Sequence, residues 1–257
     1  MNDSATSQST IGHLLPPGLR TNETRITDFE GGPAARGVYD GLRDRIVRLE
    51  LPPGTPLSRS ELAATYGVSL TPLRDALQQL AKEGLVRIYP QSRTLVTQID
   101  TDSIREAQFM RMALETEVVR RLAHTIDPDH LSRLRSIVAL QAGIGGHAGD
   151  FAIFQELDEI FHLTLFAAAG HVQSQRLVRS QAGHLERLRR LHLDKTEESE
   201  QLNTQAVIAG HTEILDGIEA RDKTRAIDAL RRHLKRTVDR IAEKRAAFPD
   251  YFEPEKA

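Results

Sequence analysis

The sequence predicts a mainly α-helical protein, in which an N-terminal winged helix-turn-helix unit precedes a C-terminal all-α bundle of six or seven helices. This prediction depends on three features. Residues 57–84 have the pattern of two short amphipathic helices around a tight turn, and two short extended segments follow them. From Thr101 onward, apolar residues recur at helical spacing without strand-like alternation, which is typical of a helical bundle.

Composition is typical of an ordinary globular protein. Of the 257 residues, 39% are apolar and 27% are charged. No apolar run approaches the roughly 20 residues of a membrane helix, and the N-terminus lacks the pattern of a signal peptide. Cysteine is absent, which excludes disulfides and thiolate metal sites and fits a cytoplasmic location.

The distribution of charge is more informative than the net charge. A net charge of −2 gives no overall attraction to nucleic acid. Between Ala34 and Ile99, however, nine Arg and Lys residues outnumber six Asp and Glu residues. A helix-turn-helix unit presents its second helix to the major groove of DNA, and this weak positive excess indicates that the contact would be local and would need two copies of the chain for useful affinity.

The N-terminal elements follow in order. Residues 1–33 are polar and rich in Gly and Pro, which predicts a disordered tail. A helix over 36–49 carries one apolar face and is ended by the Pro-Pro-Gly sequence at 52–54. In the turn between the next two helices, Gly67 is expected to adopt a left-handed conformation and Ser69 to cap the second helix.

The extended segments 85–88 and 94–97 are predicted to pair as a hairpin, a wing beside the second helix, and this unit ends near residue 100. The chain is therefore divided into a tail, a winged helix-turn-helix domain, an all-helical domain and a second tail (1–33, 34–100, 101–247 and 248–257). Helices of the bundle are expected near 102–124, 128–142, 150–169, 172–194, 200–220 and 223–246.

A carboxylate and three imidazoles form a second pattern. Asp158 and His162 lie at i and i+4 on one apolar helical stripe, where both can face one ion. His211 and His233 lie eleven residues before and after Asp222, the centre of the turn between the last two helices. Residues equidistant from the turn of an antiparallel helical hairpin lie level with each other, so these imidazoles are expected to meet.

Three imidazoles and one carboxylate suit a divalent ion, with Zn²⁺ as the first choice and Ni²⁺ or Mn²⁺ as alternatives. Each histidine alone could equally be an ordinary core or surface residue, so the prediction depends on their combined spacing. Two further residues are assigned to the binding of a small effector. Arg111 could hold a carboxylate of this ligand by two parallel hydrogen bonds, or could form a surface pair with Glu115. His184 could face the cavity around the metal or could face solvent.

Taken together, these residues make the chain resemble GntR-type bacterial transcription regulators of the FadR-like subgroup, whose effector domain is the all-helical FCD domain. The resemblance covers roughly residues 36–245. Its five markers, in chain order, are LPPG at 51–54 with Leu57-Ser58 and Glu61-Leu62-Ala63, GVS at 67–69 with TPLRDAL at 71–77, Arg111 with Leu114-Glu115, Asp158 with Phe161-His162, and His211 with His233-Leu234.

The resemblance implies a homodimer that binds inverted repeats in double-stranded DNA and senses a small organic acid or sugar acid near the metal. It assigns Arg74 to a phosphate or guanine contact, with Thr71 and Ser69 orienting it. Arg59 is expected to contact a phosphate, and Arg93 a phosphate or the minor groove. Relatives frequently carry arginine where this chain has Leu70 and Ser60, and a glycine near the wing tip, which leaves the operator sequence open.

The leading interpretation is a DNA-binding regulator, a repressor released by its effector, and not an enzyme. Two alternatives remain. One is a metal-dependent enzyme fused to a DNA-binding unit, in which the same site activates water. The other is a regulator in which the metal is purely structural.

Overall fold

The computed structural model describes residues 31–90, 93–144, 151–191 and 197–254. In this part of the chain the regular structure is helical apart from one two-stranded hairpin, as the sequence predicts. The described residues form two compact units. We call them the histidine unit (residues 113–176 and 197–233) and the head unit (residues 31–112, 177–191 and 234–254). Nearly all of the predicted N-terminal tail lies outside the described residues.

The head unit contains the predicted winged helix-turn-helix. Its elements are α1 (Pro33–Val47), α2 (Arg59–Tyr66), α3 (Leu70–Lys82), β1 (Val86–Ile88) and β2 (Thr94–Val96). The two strands pair antiparallel, with Val86 opposite Val96. The apolar face of α3 is buried and belongs to one core cluster with the apolar face of α1, and this arrangement leaves the opposite face of α3 exposed.

Local sequence explains the turn between α2 and α3. Ser58 caps α2, because its hydroxyl accepts a hydrogen bond from the backbone N–H of Glu61. Gly67 ends α2 in the left-handed region at φ +62°, as expected. Ser69 occupies the cap position of α3, but its side chain makes no capping hydrogen bond, so that detail of the prediction is wrong.

Arg43 of the head unit belongs to the core and not to a DNA-contacting surface. Arg43 is buried and pairs with Glu83 and Glu186, each at 3.2 Å. The hydroxyl of Tyr39 donates to Glu83 at 2.5 Å, and burial raises the pKa of that hydroxyl. These contacts fix α1 to the end of α3.

The remaining helices differ from prediction at two breaks. They are α4 (Thr101–Thr125), α5 (Pro128–Ile144), α6 (Phe151–Ala168), α7 (Val172–Gln181), α8 (Gly183–Arg190), α9 (Glu197–Glu219), α10 (Lys223–Asp239) and α11 (Ile241–Ala247). The helix expected over 172–194 is interrupted at Ala182, before a glycine on which a Cβ would lie 2.7 Å from Leu85. The last helix is interrupted at Arg240. No described helix has the length and apolar character needed to cross a membrane.

Residues 248–253 carry three packed aromatic side chains, those of Phe248, Tyr251 and Phe252, which corrects the prediction that the chain from 248 onward is a tail. We call this segment the C-terminal clasp. Phe252 is only 3% exposed and lies in a core cluster with Ile99. The backbone N–H of Ile99 donates to the carbonyl of Tyr251 at 2.7 Å, and that of Glu253 donates to the carbonyl of Ile99 at 3.0 Å. The clasp thus pairs with the segment that follows β2.

Candidate metal centre and DNA-reading surface

The structure brings the four predicted metal ligands together within the histidine unit. Asp158 and His162 come from α6, His211 from α9 and His233 from α10, and their ligand atoms all lie within 4.8 Å of one another. Nε2 of His162 lies 3.3 Å from Nε2 of His233, and Nε2 of His211 lies 3.4 Å from Oδ1 of Asp158. Ligand atoms about 2.1 Å from one tetrahedral or octahedral ion are themselves about 3–3.4 Å apart.

The α9–α10 hairpin brings two of these rings together in the way the sequence predicts. The ring centroids of His211 and His233 are 4.5 Å apart. Small residues make the close approach possible: a Cβ on Gly210 would lie 2.8 Å from Nδ1 of His233, and one on Gly217 would lie 2.6 Å from the backbone nitrogen of Ala226. A larger residue at either glycine would force the helices or the ring to move.

Polar neighbours orient the imidazoles. Nδ1 of His211 lies 2.8 Å from Oε1 of Gln141, and Nδ1 of His162 lies 2.7 Å from Oε2 of Glu115. Phe161 stacks on the His211 ring with centroids 3.9 Å apart. An Nδ1–H of His211 that donates to Gln141 leaves Nε2 of that ring with its lone pair directed into the cluster, the arrangement found around protein-bound metals.

Sequence reasoning missed both orienting residues. Gln141 is fully buried and follows Leu134, Ile137 and Val138 at the spacing of one apolar face of α5, so a polar residue in an apolar stripe was the available signal. Glu115 entered only as a surface partner for Arg111. Glu115 is 1% and Arg111 8% exposed, so a pair between them would be buried and not on the surface.

The structure places His184 in the head unit, on α8, and not among the metal ligands. Its Nδ1 accepts hydrogen bonds from the backbone N–H of Asp100 at 3.0 Å and from the Arg187 guanidinium at 2.8 Å, and a backbone hydrogen bond joins the ring to Gly84. Burial, together with the charge of Arg187, lowers the pKa of His184 to about 3. With both ring nitrogens engaged, this neutral histidine has none to offer an effector, which corrects that assignment.

The predicted DNA-binding residues all lie on exposed surface. They are Arg59, Ser69, Thr71, Arg74 and Arg93. The side chain of Arg74 is 69% exposed, and the guanidinium of Arg93 lies 5.3 Å from the ring centroid of Tyr89. Gln78, four residues after Arg74, is exposed on the same face of α3. Residues 91 and 92 of the predicted wing tip lie outside the described residues.

Comparison with known proteins agrees with this architecture. The model of the bacterial regulatory proteins of the gntR family matches residues 34–96, and that of the FCD domain matches residues 106–236. The chain is 37% identical to an HTH-type transcriptional regulator in an unstable DNA locus of Streptomyces ambofaciens, over 86% of this chain and 91% of that protein. It is 26% identical to the gluconate operon transcriptional repressor of Bacillus subtilis, over 81% of this chain and 84% of that protein.

Among solved structures, Escherichia coli McbR/YncC has the same fold. It superposes with a TM-score of 0.70 at 18% identity, over 83% of this chain and 99% of that one. The family and its members are regulators of transcription and not enzymes. The match of both family models, in the order that the winged unit and the helical domain require, shows that this chain is a DNA-binding transcription regulator of the GntR family with an FCD domain.

Proposed function

We propose that the protein is a homodimeric repressor that acts in the cytoplasm, and that a small organic acid or sugar acid releases it from operator DNA. The acid binds at or beside a divalent metal held by Asp158, His162, His211 and His233. The observation that carries this proposal is the meeting of four ligand atoms, from three helices, within 4.8 Å of one another.

The donor set fits a metal of this class. Three imidazole nitrogens and one carboxylate oxygen suit Zn²⁺ first, and Ni²⁺ or Mn²⁺ as alternatives. Asp158 is 1% exposed, and a carboxylate buried in an apolar stripe is costly unless a cation or hydrogen bonds compensate it. When bound, the ion would supply a Lewis-acidic centre with positions open to a carboxylate or hydroxyl group.

The chemistry of the effector is inferred from charge. A carboxylate can complete the coordination of a divalent ion, and a guanidinium can hold such a group by two parallel hydrogen bonds. Arg111 lies one helical turn before Glu115 on α4 and remains the residue predicted to bind the effector carboxylate. The Bacillus subtilis relative is a repressor named for a gluconate operon, which supports both repression and a sugar acid.

Switching needs only a difference in affinity between two states of the dimer. If the acid binds the state that releases DNA about 100-fold more tightly, it shifts the equilibrium by about 2.7 kcal/mol, enough to change operator occupancy substantially. The two head units of a dimer must match the spacing of two half-sites, so an acid that favours another spacing weakens DNA binding.

A thermal-shift screen of the metal-loaded protein tests the proposal. Sugar acids and dicarboxylates are added singly, and we expect at least one to raise the melting temperature and to release the DNA upstream of the protein's own gene in an anisotropy assay. Neither response should occur in the His211→Ala, His233→Ala double variant. The exposed His124→Ala variant is the control and should respond like the native chain.

Two results would contradict the proposal. If no acid changes the melting temperature or the DNA complex while chelation unfolds the protein, the metal is structural. If the acid strengthens DNA binding, the sign of regulation is reversed and the protein is not a repressor released by its effector.

A further inference from the structure

Leu70 is an exposed apolar residue at a position where the fold does not require one. It is the first residue of α3, directly after the cap position Ser69, and it is 62% exposed. The other leucines of α3 are buried: Leu73, Leu77 and Leu80 are at most 1% exposed. Packing therefore accounts for the inward leucines of this helix and leaves Leu70 unexplained.

The position of Leu70 is that of a base-reading residue. In helix-turn-helix proteins the N-terminal residues of the second helix contact base edges in the major groove. Leu70 precedes Arg74 by four residues, so both lie on one side of α3, with Thr71 exposed beside them. A helix that presents Arg74 to the major groove presents Leu70 to it as well, because both side chains lie on one side of α3.

The chemistry of the side chain selects its partner. Leucine has no hydrogen-bonding group, and a donor or acceptor on a base edge that lost water to it would be left unsatisfied. Thymine is the base that presents a methyl group in the major groove. We propose that Leu70 reads a thymine in each operator half-site through its C5-methyl group. This specificity contact rests on the DNA-binding function of the family and is independent of the metal and the effector.

Replacing thymine by deoxyuridine removes only that methyl group and tests the contact directly. The full-length protein first selects its operator from random duplexes, and each thymine of one half-site is then replaced by deoxyuridine. For the native chain we expect one replacement to weaken binding about fourfold, the loss expected for one buried methyl group. In Leu70→Ala the same replacement should have no effect.

Two further variants make the result specific. Gln78→Ala changes another residue of the same exposed face and should keep the full deoxyuridine penalty. Leu70→Arg should prefer guanine over thymine at that position, because arginine pairs with the guanine edge through two hydrogen bonds. The melting temperature of Leu70→Ala should equal that of the native chain, since the side chain is exposed.

Three results would overturn the proposal. An equal penalty in the native chain and in Leu70→Ala would mean that another residue reads the methyl group. Insensitivity of the native chain to every replacement would mean that no methyl group is read. Failure to select any duplex would remove the DNA-binding function itself, and this contact with it.

Discussion

The clustered histidines of the histidine unit differ from His184 of the head unit in what their ring nitrogens face. In the histidine unit, Nε2 atoms of His162 and His233 lie 3.3 Å apart, and Nε2 of His211 lies near a carboxylate. In the head unit, by contrast, the nitrogens of His184 are taken up by Asp100, Arg187 and Gly84. Exposure does not separate the groups, because His162 is 7% and His184 4% exposed.

A histidine that binds metal differs from a core histidine in the direction of its second ring nitrogen. Both ring nitrogens of a core histidine form hydrogen bonds with neighbouring groups, and burial favours its neutral form. A ligand histidine has one nitrogen oriented by a neighbour and directs the other toward further donors. His211 has this second arrangement, with Gln141 on one side and Asp158 on the other.

The largest expected effect is loss of the metal in the His211→Ala, His233→Ala double variant. Removing two of four ligands should reduce the bound metal from about one ion per chain to nearly none, since structural binding of this kind depends on the full ligand set. Elemental analysis after dialysis measures it. His124→Ala should keep the ion, and full occupancy in the double variant would refute the site.

His184→Ala should lower the free energy of unfolding by about 2–4 kcal/mol, because it leaves a cavity and removes the acceptor for Asp100 N–H and Arg187. Its metal content should stay that of the native chain. Urea denaturation measures the first quantity and elemental analysis the second. A variant that lost metal but kept its stability would reverse our comparison of the two histidine groups.

Gln141→Leu should weaken metal binding by about 10–100-fold, because the ring of His211 loses the oxygen that orients it. A competition titration with a chelating dye measures this affinity. Gln108→Leu is the matched control: Gln108 is also buried but bonds the carbonyl of Leu234, so its loss should affect stability and not metal affinity. Equal metal affinity in the two variants would count against an orienting role for Gln141.

The smallest effect is a dependence of stability on pH. The pKa of His184 falls from its usual 6.5 to about 3 on folding, so the unfolded chain binds the proton more tightly between these values. The titration of His184 should therefore lower the free energy of unfolding by about 2 kcal/mol when the pH falls from 7 to 5. Urea denaturation of metal-free protein should show this loss in the native chain and not in His184→Ala.

Much of the fold follows from local rules. The left-handed Gly67 and the amphipathic pattern of α3 predict the helix-turn-helix, because each depends on nearby residues only. The meeting of the four candidate ligands could also be predicted, since the i, i+4 spacing places Asp158 and His162 on one face of a helix. The symmetry of the α9–α10 hairpin about its turn places His211 level with His233.

The remainder depends on tertiary contacts that spacing does not encode. The sequence leaves open whether His184 faces the predicted cavity or solvent, and only the fold shows that Arg187 and Asp100 enclose it. The break at Ala182 depends on the close approach of Gly183 to Leu85, residues nearly a hundred positions apart. Phe252 lies in a segment too short for a periodic pattern to show that it is buried.

The C-terminal clasp has a practical consequence for work on this protein. The carboxylate of Glu253 pairs with Arg87 of β1 at 3.2 Å, and Phe252 packs with Ile99 just beyond β2. Shortening the chain after residue 247 would remove a partner of the wing and not a free end. DNA affinities measured on such a truncated protein would be those of a wing in which Arg87 lacks its partner Glu253.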